Sequence, residues 1–219
     1  RNDLEQKYRE LFEFTCNGDT QSIMALRRSG IDLSTRLTSH GRTALMLAAA
    51  NNRLDSADAL LTPIFTDSYK NTKPCIYQPP ENKTINLDDN FGNTAMHIAI
   101  YYAERSFLEL LIKNGADMPQ RNIIGEIPLN FAIRPSVWNI NQKPLSYKEC
   151  RSYSPKDWDI LIEATPAESL LTPDIYGGKC TTHLRKWYKR TKDETFKRYE
   201  KQILDKAGVF KQEYKNEND

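Results

Sequence analysis

The fold class this sequence predicts is an all-α-dominated solenoid of stacked helix-turn-helix repeats, with short β-hairpins and two inserted loops. Three observations carry the prediction. First, Gly41-Arg-Thr-Ala-Leu-Met-Leu-Ala-Ala49, Gly92-Asn-Thr-Ala-Met-His-Ile-Ala99 and Gly125-Glu-Ile-Pro-Leu-Asn-Phe-Ala132 share the form Gly-x-(Thr or Ile)-(Ala or Pro)-apolar-x-x-Ala. Second, Gly92 and Gly125 lie 33 residues apart, and self-similarity at a fixed period marks a repeat architecture. Third, an apolar stripe at helical spacing follows the glycine motif, as in Phe107-Leu-Glu-Leu-Leu-Ile-Lys-Asn-Gly115-Ala-Asp117, and Ile23-Met-Ala-Leu-Arg-Arg-Ser-Gly30-Ile-Asp32 reads the same way.

Each element has a local cause. Gly92 permits a turn with positive φ at a hairpin tip. Thr94 is placed to cap the helix that follows, and His97 three residues on can share a hydrogen bond with it. Ala99 is small, so neighbouring repeats can approach closely. Phe107, Leu108, Leu110 and Leu111 form the buried stripe of a second helix, and Gly115 ends that helix in a left-handed conformation. One such unit cannot bury its own apolar face, so the units must stack.

Five repeats are expected, at about 4–34, 37–61, 86–118, 121–165 and 174–207, as one domain over 1–210 with a frayed tail at 211–219. The first repeat lacks the hairpin and begins with a helix whose face is Leu4, Tyr8, Leu11 and Phe12. In the fifth, Gly178-Lys-Cys-Thr-Thr-His183 keeps Gly and His, with Cys180 where Thr belongs. Its second helix is expected over Asp193–Ala207 with Phe196, Tyr199, Ile203 and Leu204 on one face. Two spacings exceed the period: Gly41 to Gly92 is 51 and Gly125 to Gly178 is 53. The excess falls at about 62–85, which carries Pro63, Pro74, Pro79 and Pro80, and at about 134–154. Such stretches read as extended loops, which serve either as a binding surface or as tolerated insertions, since loop closure costs little entropy.

These residues resemble the ankyrin-repeat family. The match covers 37–135 best, extends to 4–34, and departs from the pattern after 135. The resemblance implies a non-catalytic protein–protein interaction module whose variable contact positions are the hairpin tips and the exposed end of each first helix. On this chain those positions are Ser39, His40 and Arg42, then Asn90, Phe91 and Asn93 with Tyr101 and Tyr102 on the helix. They continue with Ile123, Ile124 and Glu126, and finally Tyr176 and Lys179 with Trp187 and Tyr188. Aromatic side chains are enriched in interface hot spots; the alternatives are that the inserted loops cover them, or that Tyr101 packs between repeats. The irregular, Asn-, Lys- and Tyr-rich repeats also resemble in style the ankyrin effectors that intracellular bacteria such as Legionella secrete into host cells.

Other chemistry is poorly supported. The chain has 219 residues, 39% hydrophobic and 27% charged, with a formal net charge of +2, too small to argue for nucleic acid or an anionic membrane as the main partner. No apolar run approaches the roughly 20 residues a membrane span requires. The start at Arg1 suggests a window cut from a longer protein, and a recruitment region of a multidomain enzyme is the second expectation. Cys16, Cys75, Cys150 and Cys180 are widely spaced and read as reduced thiols in a cytosolic protein, which for an effector is the host cytosol. Cys180 and His183 form a Cys-x-x-His pair without the further ligands a structural zinc needs, and no base or oxyanion site accompanies them. No catalytic residue, metal or cofactor is expected. The basic run His183-Leu-Arg-Lys-Trp-Tyr-Lys-Arg190 admits a third expectation, an acidic partner or nucleic acid, diluted by Asp193, Glu194 and Glu200. A monomer binding a protein partner is the leading expectation.

Overall fold

The computed structural model describes residues 2–64, 84–133 and 155–209. Most of both insertions, with Cys75 and Cys150, and the tail from residue 210 on lie outside the described residues. The chain falls into two compact units, Arg1–Asp117 and Met118–Asp219.

The first unit holds α1 (Asn2–Asn17), α2 (Thr20–Arg28), α3 (Ala44–Ala50), α4 (Leu54–Leu61), α5 (Ala95–Tyr102) and α6 (Arg105–Lys113). The first helices of successive repeats form one row, α1 on α3 on α5, and the second helices another, α2 on α4 on α6. α3 lies between α1 and α5 and is correspondingly apolar around its circumference, with Ala44 to Ala49 all buried, and Ala95 to Ile100 of α5 are buried as well. Small alanines here let helix backbones approach. The outer helices keep a polar face, and α6 buries Phe107, Leu108 and Leu111 while leaving Glu109 and Lys113 exposed. At about 25 cal/mol per Å² of apolar surface, such a stripe is the main attraction between rows.

Ends and caps follow the sequence closely. The His97 N–H donates to Thr94 Oγ1 at 3.5 Å, and His97 Nδ1 accepts from the Thr94 N–H at 3.2 Å, so the two close a reciprocal capping box at the start of α5. Gly115 (φ 85°) ends α6, with the Ala116 N–H reaching back to the Leu111 carbonyl at 3.0 Å. In α1, of the predicted face only Leu11 is buried; Leu4 and Phe12 are exposed, because α1 packs on α2, α3 and α4 from one side only. Thr15, one turn beyond Leu11, joins the core instead, its carbonyl accepting from Ser56 Oγ at 3.0 Å.

The second unit repeats the scheme with α7 (Pro128–Ile133), α8 (Pro155–Ala164), α9 (Cys180–Thr191) and α10 (Glu194–Lys206). α7 packs on α9, α8 on α10, and each first helix on its own second helix. The core includes Leu129, Leu161, Leu184 and Ile203, with Trp158 stacked on Tyr199 at 5.3 Å between ring centroids. Of the four residues expected on one face of α10, Tyr199 and Ile203 are buried and Phe196 and Leu204 half-buried.

The expected hairpins are four tight turns. Among the described residues there is no strand, and the one β-bridge pairs Asp88 with Thr94. The fifth repeat also has a different register from the one expected. Gly177, not Gly178, has the positive φ (78°), with its N–H donating to the Asp174 carbonyl at 3.0 Å. Lys179 is therefore the N-cap of α9, Cys180 its first residue, and Thr182 rather than His183 is the counterpart of His97. Two adjacent glycines and a cap residue unable to bond the helix N-terminus allowed the Gly-x-x-x-x-His spacing to mislead.

Candidate functional site

The four turns are built by one device. Three residues before each positive-φ glycine stands a short polar side chain that accepts from backbone N–H groups ahead of it. Asp89 Oδ1 accepts from Phe91 and Asn93, both at 2.9 Å. Asn122 Oδ1 accepts from Ile124 at 3.1 Å and Glu126 at 3.0 Å. Asp174 Oδ1 accepts from Tyr176 and Gly178, both at 2.8 Å. In the first turn Thr38 Oγ1 takes the Arg42 N–H at 3.1 Å. Asp and Asn are favoured here because their short side chains fold back onto the chain two residues on. Turns are also tied tip to tip inside each unit: the Asn90 N–H donates to the His40 carbonyl at 2.9 Å, and the Ile175 N–H to the Ile124 carbonyl at 3.0 Å. Side chains projecting from these turns therefore stand on a fixed backbone.

In the first unit Ser39, His40 and Asn90 are exposed, and Phe91 and Asn93 half-buried. Phe91 lies against His40 with 6.0 Å between ring centroids. The Asn90 amide is used internally, its Nδ2 donating to the Ser39 carbonyl at 2.9 Å. Arg42 turns inward, its Nε 3.9 Å from Asp89 Oδ2, with side-chain exposures of 12% and 0% for the pair. Burial lowers the Arg42 pKa, and Asp89 and then Tyr102 oppose the shift. Tyr102 is 39% exposed and Tyr101 half-buried, their rings 5.8 Å apart at the end of α5. Partial burial raises the Tyr102 hydroxyl pKa against the nearby Arg42.

In the second unit the tip positions diverge. Ile123 is 58% exposed, whereas Ile124 and Glu126 are buried, so the expectation that these two face a partner is corrected. Ile124 lies beneath the next turn, whose Ile175 N–H it receives. The next turn exposes Ile175 at 61% and Tyr176 at 68%, with Lys179 also exposed. Ile175 was missed in the sequence because the register was set one residue late; position for position it matches Asn90 and Ile123. Trp187 and Tyr188 are half-buried and already engaged: Trp187 Nε1 donates to the Ile133 carbonyl at 3.0 Å, the Tyr188 hydroxyl donates to Glu194 Oε1 at 3.1 Å, and Lys197 Nζ sits 4.1 Å from the Tyr188 ring centroid.

The family model for the ankyrin repeat matches residues 40–63 and 91–123, stretches that begin inside the first and second turns and run through α3 and α4, and through α5 and α6. The chain carries ankyrin repeats.

Relatives agree over part of the chain. It is 35% identical over 81 residues to alpha-latrotoxin-Lg1a of Latrodectus geometricus, 37% of this chain and 6% of that protein. It is 27% identical over 119 residues to the ANK repeat-containing protein nipk-1 of Caenorhabditis elegans, 53% of this chain and 18% of that protein. It is 33% identical over 85 residues to palmitoyltransferase ZDHHC17 of Danio rerio, 37% of this chain and 14% of that protein. The chain thus spans less than a fifth of the length of these relatives. They come from animals, and nothing in them bears on the expectation of a bacterial effector.

Ankyrin repeats are in general protein–protein interaction modules and typically non-catalytic. The Cys-x-x-His pair of this ankyrin chain is divided between different partners: Cys180 Sγ meets Asn130 Oδ1, while His183 Nε2 faces Asp174 Oδ2 at 3.5 Å. Complete burial pushes the Cys180 thiol far up, opposite to the shift a reactive cysteine needs. Among the described residues no three or more His, Cys, Asp or Glu side chains are grouped to hold a metal ion, and no helix is long and apolar enough to cross a membrane. What the surface does offer is a cleft of about 300 Å³ in the second unit, lined by Tyr176, Gly178, His183, Lys186, Trp187 and Arg190.

Proposed function

We propose that this chain is a non-catalytic module that binds a protein partner through its turn tips and the exposed ends of its first helices. The contact set is Ser39, His40, Phe91, Asn93 and Tyr102 in the first unit, and Ile123, Ile175, Tyr176 and Lys179 in the second, with Trp187 at its edge. One observation carries the reading: Ile123, Ile175 and Tyr176 project apolar surface to solvent from turns whose backbones are fixed by internal hydrogen bonds. The repeat core has no use for these side chains at the tips. Exposed apolar groups on a rigid base are what a partner can bury with little ordering entropy.

A second reading follows from the comparisons. The chain resembles a small part of much longer proteins, one of them named a palmitoyltransferase, so the same surface would serve as the recruitment segment of a larger protein. The test applies to both readings. Affinity capture from eukaryotic cell lysate, read by quantitative mass spectrometry, compares the wild type with Phe91→Ala/Tyr102→Ala and with Ile123→Ser/Ile175→Ser/Tyr176→Ser, folding being checked by circular dichroism. Proteins captured by the wild type and lost from either folded variant support the reading. Equal capture by all three removes the tips as the binding surface.

A further inference from the structure

The charge in the second unit is unevenly placed. Between Ile175 and Lys192 the sequence has six basic residues, Lys179, Arg185, Lys186, Lys189, Arg190 and Lys192, and no acidic one. Arg185 is paired with Glu200. The other five are exposed, and among the described residues none of them has a carboxylate within ion-pair distance. Like charges gathered on one helix destabilise it slightly, so the cluster is not explained by folding.

Two of these cations share a face with aromatic surface. His183, Lys186, Trp187 and Arg190 follow the i, i+3, i+4, i+7 spacing of one helical stripe and line the cleft beneath Tyr176. Trp187 is pre-set: its N–H is anchored on the Ile133 carbonyl, and the Arg190 guanidinium lies 5.3 Å from its ring centroid. Tyr176, which lines the cleft, and its chain neighbour Ile175 are both exposed and add apolar surface there. Resting on the interaction-module reading, we infer that this cleft takes an acidic peptide segment carrying an apolar or aromatic residue. The carboxylates pair with Lys186 and Arg190, and the apolar side chain lies against Tyr176 and Trp187. The cleft's volume fits a few side chains. A nucleic acid would use the cations through a longer track of phosphate contacts and would leave the apolar surface of Tyr176 and Ile175 without a partner.

The test uses the full chain and an array of short synthetic peptides. Each bears several Asp or Glu residues and one Phe or Leu, beside its Asn/Gln isostere and an oligothymidylate of equal charge. Binding is followed by fluorescence anisotropy between about 50 and 200 mM salt. The acidic peptides should bind in preference to their amide isosteres and to the oligonucleotide. Lys186→Glu/Arg190→Glu should weaken the best peptide at least about tenfold, since it places carboxylates against carboxylates. Lys189→Glu/Lys201→Glu, the same charge change outside the cleft, should leave binding within about threefold, a loss that screening accounts for. Replacing the peptide's Phe or Leu by Ser should also weaken it. No preference over the isosteres overturns the inference, as does equal loss in the two charge variants or an oligonucleotide bound as tightly as the peptide. None of those results touches the interaction-module reading, which stands or falls on capture by the tip variants.

Discussion

At the residue scale, Gly177 and Gly178 are both required, for different reasons. Gly177 has φ 78° with open space around it, so an added side chain meets backbone strain alone. Gly178 has no unusual φ, but a Cβ there would stand 2.6 Å from His183 Nε2 and 2.8 Å from Asp174 Oδ2, against two side chains that are themselves buried. Gly177→Ala should therefore cost about 1–2 kcal/mol, and Gly177→Asn less, because Asn tolerates the left-handed region. Gly178→Ala should cost about 1–3 kcal/mol through overpacking, and Gly178→Asn more. Urea denaturation of the four variants separates the causes: a Gly178→Asn milder than Gly178→Ala would refute the steric account. The sequence showed a Gly-Gly pair without showing which glycine made the turn. The polar residue three positions earlier, Asp89, Asn122 or Asp174, would have settled it, but alternation among Asp, Asn and Thr38 hid that position from a search for identical residues.

At the element scale, caps were legible where the side chain and its bond are local. Thr94 and His97 could be paired from spacing because the capping box lies within four residues. Ile124 could not be placed, since its burial is decided by a turn some fifty residues along the chain. The start of α2 offers an electrostatic test of capping. Asp19 accepts from the Ser22 N–H at 3.1 Å and from Ser22 Oγ at 2.7 Å, and these bonds lower its pKa. After the helix, Asp32 is lowered by bonds from Ser34. A carboxyl whose folded pKa is depressed contributes stability that is fully present above its unfolded value, near the ordinary 3.8, and that disappears as pH falls through the folded value. The stability gap between the wild type and Asp19→Asn/Asp32→Asn should thus be full at neutral pH and shrink on acidification below that value. Equilibrium unfolding in urea at several pH values reads it directly. A gap that stays constant or widens in acid would mean that the carboxylate charges are not what holds these bonds.

At the scale of the whole molecule, the repeat period identified the helix pairs and their stacking rows, because each repeat buries its stripe on a neighbour of the same form. The period marks where each repeat ends but not which of those ends divides the chain: the third repeat's pattern runs to residue 118, and the second compact unit begins at Met118. The division has a consequence for stability. Among the described residues the first unit contains three helix pairs, with Leu11, Ile23, Met46, Met96 and Phe107 all buried inside it. Among the described residues the second contains two pairs, with Leu129, Leu161, Leu184 and Tyr199 buried. Solenoid stability is close to a sum of repeat and interface terms, and about three repeats are needed to hold a continuous core. A fragment of residues 1–117 should therefore be helical by far-ultraviolet circular dichroism and unfold cooperatively in urea. A fragment of residues 118–219 should unfold at lower urea, with a smaller dependence on denaturant because it exposes less surface. If the shorter array proves as stable as the longer one, repeat count is not what sets stability here. If residues 1–117 melt without a cooperative transition, the core described for the first unit does not suffice to fold it.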